Sequence, residues 1–324
     1  MFQNRRGEVD MLESYAAYNT DLETRMHSSS GGVFSLFAEY VLSCNGIVYG
    51  VAMSEDCYRS QFIRATDSNG VDKLRGSKYF QAKLGDTFKQ VKSDLEGGRL
   101  VLFTGTGCQI NGLKCFLGKE YNNLICIDVV CHGVPSPKLW KEYVVYQEKK
   151  HGKLQSVNFR CKDKGWQDFG MKENAMYIPK SKDPFLQMFL GNFCLRPSCY
   201  ECRVKDLKLS DISIADLWGI EDLAPEMDDG KGCSWVIVRS QRGKRILEEI
   251  KDDLIMKKIE YSHALRNNSA ESESVKKPDE RDLFFQHLDG KPFLCLIRKY
   301  GRDPFRIRFK RKLKQVFLKI VRGG

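Results

Sequence analysis

The sequence predicts an α/β fold with a mixed-sheet core, a cysteine-rich insertion and a basic C-terminal helix. Three observations predict it. Two apolar runs, 100–103 and 124–130, each pass through a glycine-containing turn into a helical pattern, the alternation typical of α/β proteins. From about residue 155 the texture shifts to short strands and a turn-rich stretch holding Cys194, Cys199 and Cys202. From Leu296 to the end, eleven Lys or Arg stand against one acidic residue, Asp303.

Of 324 residues, 42% are hydrophobic and 29% charged, a globular rather than a disordered balance. No apolar run approaches the roughly 20 residues of a membrane span. The opening MFQNRRGEVDMLESY lacks the apolar core of a secretory signal. The expected location is therefore cytoplasmic and reducing, where the twelve cysteines are packing residues, metal or cluster ligands, or redox thiols. The net charge of +11 lies almost wholly in the tail.

Along the chain, Ser28, Ser29, Ser30, Gly31 and Gly32 precede VFSLFAEYVL, whose apolar positions recur at three and four residues. That is a capped helix with an apolar stripe, and its N-terminus offers backbone N–H groups to an anion. GIVYGVAM (46–53) reads as a buried strand and 61–66 as its partner. Gly76, Ser77, Lys78 and Tyr79 form a polar turn before a helix that ends at Gly97 and Gly98.

The strand at 100–103 runs into Thr104, Gly105, Thr106, Gly107 and Cys108. This turn is neither a dinucleotide fingerprint nor a Walker motif, but its backbone suits a flavin or a phosphate. The strand at 124–130 ends at Cys131 and His132, and Ser136-Pro137 opens another helix. His132 can hydrogen-bond a cofactor or relay a proton, or simply order its turn. Cys108 and Cys131 both fall at strand ends, where α/β folds bind ligands.

Cys199 and Cys202 form a C-x-x-C without the flanking strand and long helix of a redox dithiol. With Cys108 and Cys131 they make four thiols suited to zinc or to an iron–sulfur cluster. Cys194 is either a further ligand or core packing. DISIADLW and CSWVIV read as strands, and 267–280 as a polar loop or linker. In the tail, Phe305, Phe309, Leu313, Val316, Phe317 and Ile320 make an apolar stripe among basic residues. A basic amphipathic helix over 302–322 reads as peripheral contact with the inner face of a membrane, or as packing on the body or a partner. Nucleic-acid binding is not expected, because the body has neither matching charge nor a stacking motif.

Eight pieces stand in order over residues 24–240: SSSGGVFSLFAEYVL, GIVYGVAM, LRGSKYFQAKLG, VLFTGTGCQINGLKCFL, NLICIDVVCHGVPSPKLWKEYV, FRCKDKGW, LRPSCYECRVK and SDISIADLWGIE. Together they resemble the beta-subunit family of coenzyme F420 hydrogenase and dehydrogenase. Within that family the chain resembles bacterial members found beside polysaccharide genes and lacking an N-terminal ferredoxin domain. The resemblance implies an oxidoreductase subunit with FAD and a [4Fe-4S] cluster. It would pass electrons between a ferredoxin or ferredoxin-like donor and a small-molecule substrate or soluble two-electron carrier.

The resemblance makes Cys108, Cys131, Cys199 and Cys202 cluster ligands. It turns Ser29, Ser30, Gly31, Gly32, Gly76, Ser77, Lys78, Tyr79, Thr104, Gly105, Thr106 and Gly107 toward the flavin, and His132, read from its place beside Cys131, is the expected catalytic position. The family usually has proline where Gly107 stands and serine where Ala82 stands. Residues 1–150 are then expected as the α/β part of a flavoprotein core, 151–265 as its cysteine-rich and mixed-sheet part, and 266–324 as linker and basic tail. The alternative reading is a zinc-stabilised or cofactor-free protein supporting surface polysaccharide synthesis.

Overall fold

The computed structural model describes residues 12–302. The basic helix expected over 302–322 therefore lies, apart from its first residue, outside the described residues. The described chain opens with β1 (Glu13–Asn19), the short α1 (Leu22–His27) and α2 (Val33–Ser43). β2 (Ile47–Met53) and β3 (Ser60–Ala65) pair antiparallel, followed by α3 (Ser68–Leu74) and α4 (Thr87–Glu96). Two strand–helix units come next: β4 (Val101–Thr106) with α5 (Gly107–Leu117), and β5 (Leu124–Val129) with α6 (Pro137–His151).

β6 (Val157–Cys161), β7 (Gly170–Glu173) and β8 (Met176–Pro179) form a small antiparallel sheet, and α7 (Pro184–Leu190) follows. The chain then returns through β9 (Ile212–Asp216), α8 (Ile220–Leu223), β10 (Ser234–Val238), α9 (Gln241–Glu249) and β11 (Leu254–Lys258). It continues with α10 (Tyr261–Leu265), α11 (Arg281–Gly290) and α12 (Phe293–Tyr300).

The eight-stranded sheet has the order β11-β1-β10-β9-β5-β4-β2-β3. Its middle, β2, β4, β5 and β9, is parallel. Antiparallel strands flank it: β10, β1 and β11 on one side, β3 on the other. The fold is thus α/β with a mixed sheet.

Local signals explain the helix ends. α2 starts after Gly32, whose φ of +80° is a left-handed cap that glycine adopts without strain. At α5, Gln109 Oε1 reaches back to accept the Thr106 N–H at 2.9 Å, half of a capping box. Ser136 caps α6 ahead of Pro137, and Lys149, Lys150 and His151 fill its last turn, where the helix dipole favours cations.

Alternation along the central strands splits the core between two faces. Val48, Leu102 and Ile125 pack with Phe37 and Val41 of α2 on one face. Tyr49, Phe103 and Cys126 pack with Val91, Ile110 and Leu113 on the other. Leu102 is wholly buried, and truncating such a residue to alanine costs about 2–5 kcal/mol. A separate aromatic cluster of Trp140, Tyr143, Phe159, Phe185 and Phe284 joins α6 and α7 to the small sheet and α11. Among the described residues no helix is long and apolar enough to cross a membrane.

Candidate functional site

A cavity of about 920 Å³ opens beyond the C-terminal ends of β4, β5 and β9. This is where parallel sheets take their ligands, because the following loops converge there. Thr104, Gly105, Thr106 and Val129 contribute from the strand ends. Three further segments close the walls: 28–34, 74–82 and 267–270.

The serine loop is held from behind. Ser30 Oγ donates to the Cys233 carbonyl at 2.9 Å, and the Gly31 N–H donates to Ser234 Oγ at 3.0 Å. Gly31 itself does not line the cavity. A Cβ there would stand 2.5 Å from the Ala17 carbonyl oxygen, so this glycine permits close backbone packing against β1 and β10. Ser29 crosses to the second wall, where its Oγ accepts the Ser77 N–H at 2.9 Å.

Lys78 lines the cavity, but its ammonium folds back. Nζ donates to the carbonyls of Lys73, Leu74 and Arg75 at 3.1, 2.9 and 2.7 Å, closing the end of α3. Burial pushes its pKa down to about 7. Tyr79 packs against Phe159 and Phe189, and burial raises its phenol. Thr104 Oγ1 donates to the Tyr49 carbonyl at 3.0 Å. Gly107 is buried at the start of α5 against Val204 and Asp128 rather than in the cavity wall.

Sequence reasoning missed several lining groups. Arg75, Arg160, Lys180 and Arg196 join Lys78 as cations, against the single acid Asp216 among the lining residues. Arg160 is almost wholly buried, with Cζ 3.8 Å from the Phe169 ring centroid and Nη2 2.8 Å from Asp216 Oδ2. Its Nε and Nη2 nevertheless have no aligned hydrogen-bond acceptor. Trp166 Nε1 donates to Asp216 from the other side and stacks on Trp218, which lines the cavity. Behind them the buried Lys162 donates to the carbonyls of Arg25, Ser30 and Lys231. Cations inside an apolar strand, as in FRCKDKGW, are the signal that could have flagged Arg160 and Lys162, because a buried charge demands partners.

The volume and the excess of cations suit an anionic ligand of dinucleotide size. The segment 267–270 is part of this wall rather than a free linker. Behind it Glu271, also buried, forms ion pairs with Lys208 and Arg239.

At the cavity edge Cys108 stands in the first turn of α5 and Cys131 follows β5, and both line the cavity. Cys199 comes up from below, its Sγ accepting the Val134 N–H at 3.4 Å. Burial pushes the Cys131 thiol up to about 12, with Cys199 and then Cys108 adding to the rise. Cys199 is raised in turn by burial, with Cys108 and Cys202 as further contributors. Cys131 and Cys199 are thus each raised in part by neighbouring thiols. Among the described residues, however, no three His, Cys, Asp or Glu converge on one point as a single-ion site requires. Cys202 opens on a second, polar cavity of about 400 Å³ beside Arg203, Ser272 and Ser274. Cys194 is wholly buried in the aromatic cluster and is a packing residue.

His132 lines the main cavity. Its Nε2 hydrogen-bonds Asn192 Oδ1 at 2.6 Å, and its ring meets Phe189 edge-on. Burial lowers its pKa.

Two family models match the chain, both described as coenzyme F420 hydrogenase/dehydrogenase, beta subunit. The model of the family's N-terminal part covers residues 14–89, and the model of its C-terminal part covers residues 98–263. The chain belongs to the coenzyme F420 hydrogenase/dehydrogenase beta-subunit family. This corrects the expectation of a bacterial polysaccharide-cluster-like member lacking the N-terminal ferredoxin domain: what is matched is the family itself, through both the N-terminal and the C-terminal parts of the beta subunit. Family membership places the chain among redox subunits related to F420 hydrogenase and dehydrogenase.

A coenzyme F420-dependent sulfite reductase from Methanocaldococcus jannaschii is 23% identical over 266 residues, or 78% of this chain. The match spans 39% of that relative's length. A chain of the F420-reducing [NiFe] hydrogenase complex from Methanosarcina barkeri shares the fold, with a TM-score of 0.55 at 16% identity. That likeness covers 82% of this chain and 95% of the other.

Proposed function

We propose that this beta-subunit family member is a flavin and iron–sulfur oxidoreductase subunit. It would pass electrons between a ferredoxin-like donor and a small two-electron carrier through FAD. The observation that carries the reading is the meeting, beyond the ends of β4 and β5, of a cation-lined cavity with Cys108 and Cys131 on its wall and Cys199 beside it, hydrogen-bonded to the lining residue Val134. The names of the two relatives, each referring to F420, make F420 the first carrier to assay.

When bound, FAD accepts electrons in pairs or singly, and an iron–sulfur cluster transfers them one at a time. The chain's own residues bind and orient. The backbone N–H groups opening α2 and the cations of the walls would receive the pyrophosphate. Leu186, Phe189 and Trp218 supply apolar wall that would keep water from a bound ring system. At His132, Nε2 is engaged with Asn192, so Nδ1 is the atom left to hydrogen-bond a ligand.

Cys108, Cys131, Cys199 and Cys202 would hold the cluster. An all-cysteine ligand set serves zinc as well as an iron–sulfur cluster, and metal analysis separates the two.

The test is absorption spectroscopy with iron, sulfide and zinc analysis on protein purified without oxygen. A flavin band near ~450 nm and about four irons per chain are expected, and Cys199→Ser should lose iron and sulfide together. Zinc without flavin, or neither metal nor flavin after reconstitution, would overturn the reading.

A further inference from the structure

Between the thiols and the cavity stands one side chain that touches both sides. Lys205 Nζ donates to the Cys131 carbonyl at 3.0 Å and also to the Ala270 carbonyl. Ala270 ends the four-residue stretch 267–270 that lines the main cavity. Farther along the same segment, Ser274 Oγ accepts the Cys202 N–H at 2.8 Å. The cavity strap is therefore tied at two points to residues that carry proposed cluster ligands. It is anchored from behind by Glu271 on Lys208 and Arg239, and by Asn268 Nδ2, which donates to the Ala264 and Trp218 carbonyls at 2.7 and 3.3 Å.

We propose that Lys205 is a positioning residue that couples occupancy of the thiol site to ligand affinity in the cavity. This rests on the function proposed above. Thiols drawn onto a common inorganic group fix the backbone at Cys131 and Cys202. Lys205 and Ser274 transmit that constraint to the strap, which then needs less ordering when it closes on the ligand. A bond shared by two sites works in both directions, so ligand in the cavity also stabilises the loaded thiol site. A half-buried ammonium with two carbonyl partners suits this role. Replacing it with an apolar chain removes both bonds and leaves the thiols in place.

The experiment measures FAD dissociation constants by flavin fluorescence on two preparations of the full chain, iron–sulfur-reconstituted and chelator-stripped. Reconstituted wild type should bind FAD at least about 5-fold more tightly than stripped protein, the lower end of ordinary coupling energies. Lys205→Met should bring the ratio close to one while still taking up iron, and Lys205→Arg should restore most of it. Ser274→Ala, which leaves Lys205 untouched, should reduce the ratio partially and serves if Lys205→Met fails to fold. Equal FAD affinity in both wild-type preparations, or an unchanged ratio in the foldable variants, would overturn the coupling and leave the cofactor assignment standing. Failure of the wild type to bind FAD or take up iron would overturn the assignment and the coupling with it.

Discussion

The Ser29 hydroxyl oxygen accepts the backbone N–H of Ser77 at 2.9 Å, and the two hydroxyls lie 3.0 Å apart. Two loops 48 residues apart in sequence thus meet as one wall of the cavity. Removing the acceptor strands a half-buried N–H, which costs about 1–2 kcal/mol. Ser29→Ala should lose about that much stability in urea unfolding and bind FAD more weakly. Ser77→Ala keeps the N–H bonded and should lose less. Equal losses would show that the hydroxyl pair, not the backbone bond, holds the wall.

Lys162 carries a pH signature. Burial, with the nearby Arg25 next, pushes its pKa down to about 7 from an ordinary value of 10.5. Between these values the unfolded chain binds more protons than the folded one, so this group's contribution makes stability rise with pH. Lys162→Met removes the titration. The stability gap between wild type and variant should widen in favour of wild type from about pH 7 to pH 10, by up to ~1.4 kcal/mol per pH unit. Unfolding curves at about pH 7, 8.5 and 10, spanning that window, check it, and a constant gap would refute it.

Tyr143 offers one proton to two buried carboxyls, Asp183 at 2.5 Å and Glu173. One O–H shared by two carboxyls is served better when one of them holds a proton. Burial raises both, and Asp183 reaches about 7 against an ordinary value of 3.8. A raised carboxyl contributes stability at low pH that is lost as pH climbs through the folded value. Asp183→Asn keeps a side-chain acceptor for the Leu186 N–H that caps α7. The stability difference should therefore shift toward the variant between about pH 4 and pH 7. Parallel stability curves for the two proteins would contradict the shared proton.

Gly107 and Val204 test how the thiol-bearing turn seats on α5. A Cβ at residue 107 would stand 2.4 Å from Val204 Cγ1 and 3.1 Å from Asp128 Oδ2. The first helical position tolerates a side chain, even proline, as far as the backbone is concerned. The obstacle is Val204, two residues after Cys202. Gly107→Ala should cost about 1–3 kcal/mol, and adding Val204→Ala should recover most of it, a coupling that a double-mutant cycle reads directly. Additive losses would mean that the turn moves aside freely.

Much of the central architecture was legible in the residues alone. The β4–α5 and β5–α6 units follow from short apolar runs, a capping threonine or serine and Pro137 at a first helical position, signals confined to neighbouring residues. Cys131 could be assigned to a strand end because it directly follows the run 124–130, and Cys108 because it closes the turn that leaves the run 100–103. The serine loop and the Gly76–Tyr79 turn were visible as separate features, and the bond between Ser29 and Ser77 was not.

Tertiary structure decided the rest. β9 lies parallel beside β5, with Ile127 opposite Ile212, and this pairing alone carries Asp216 to the cavity. Arg160 and Trp218 reach the wall from the small sheet and the loop after β9, and a polar stretch became the strap at 267–270. Gly31 and Gly107 proved to be contact points between backbones and side chains rather than lining. Helix and strand periods are properties of adjacent residues. Which strands pair, and which buried charge finds its partner, depends on matching faces from segments far apart in the chain, and that information appears only when the faces meet.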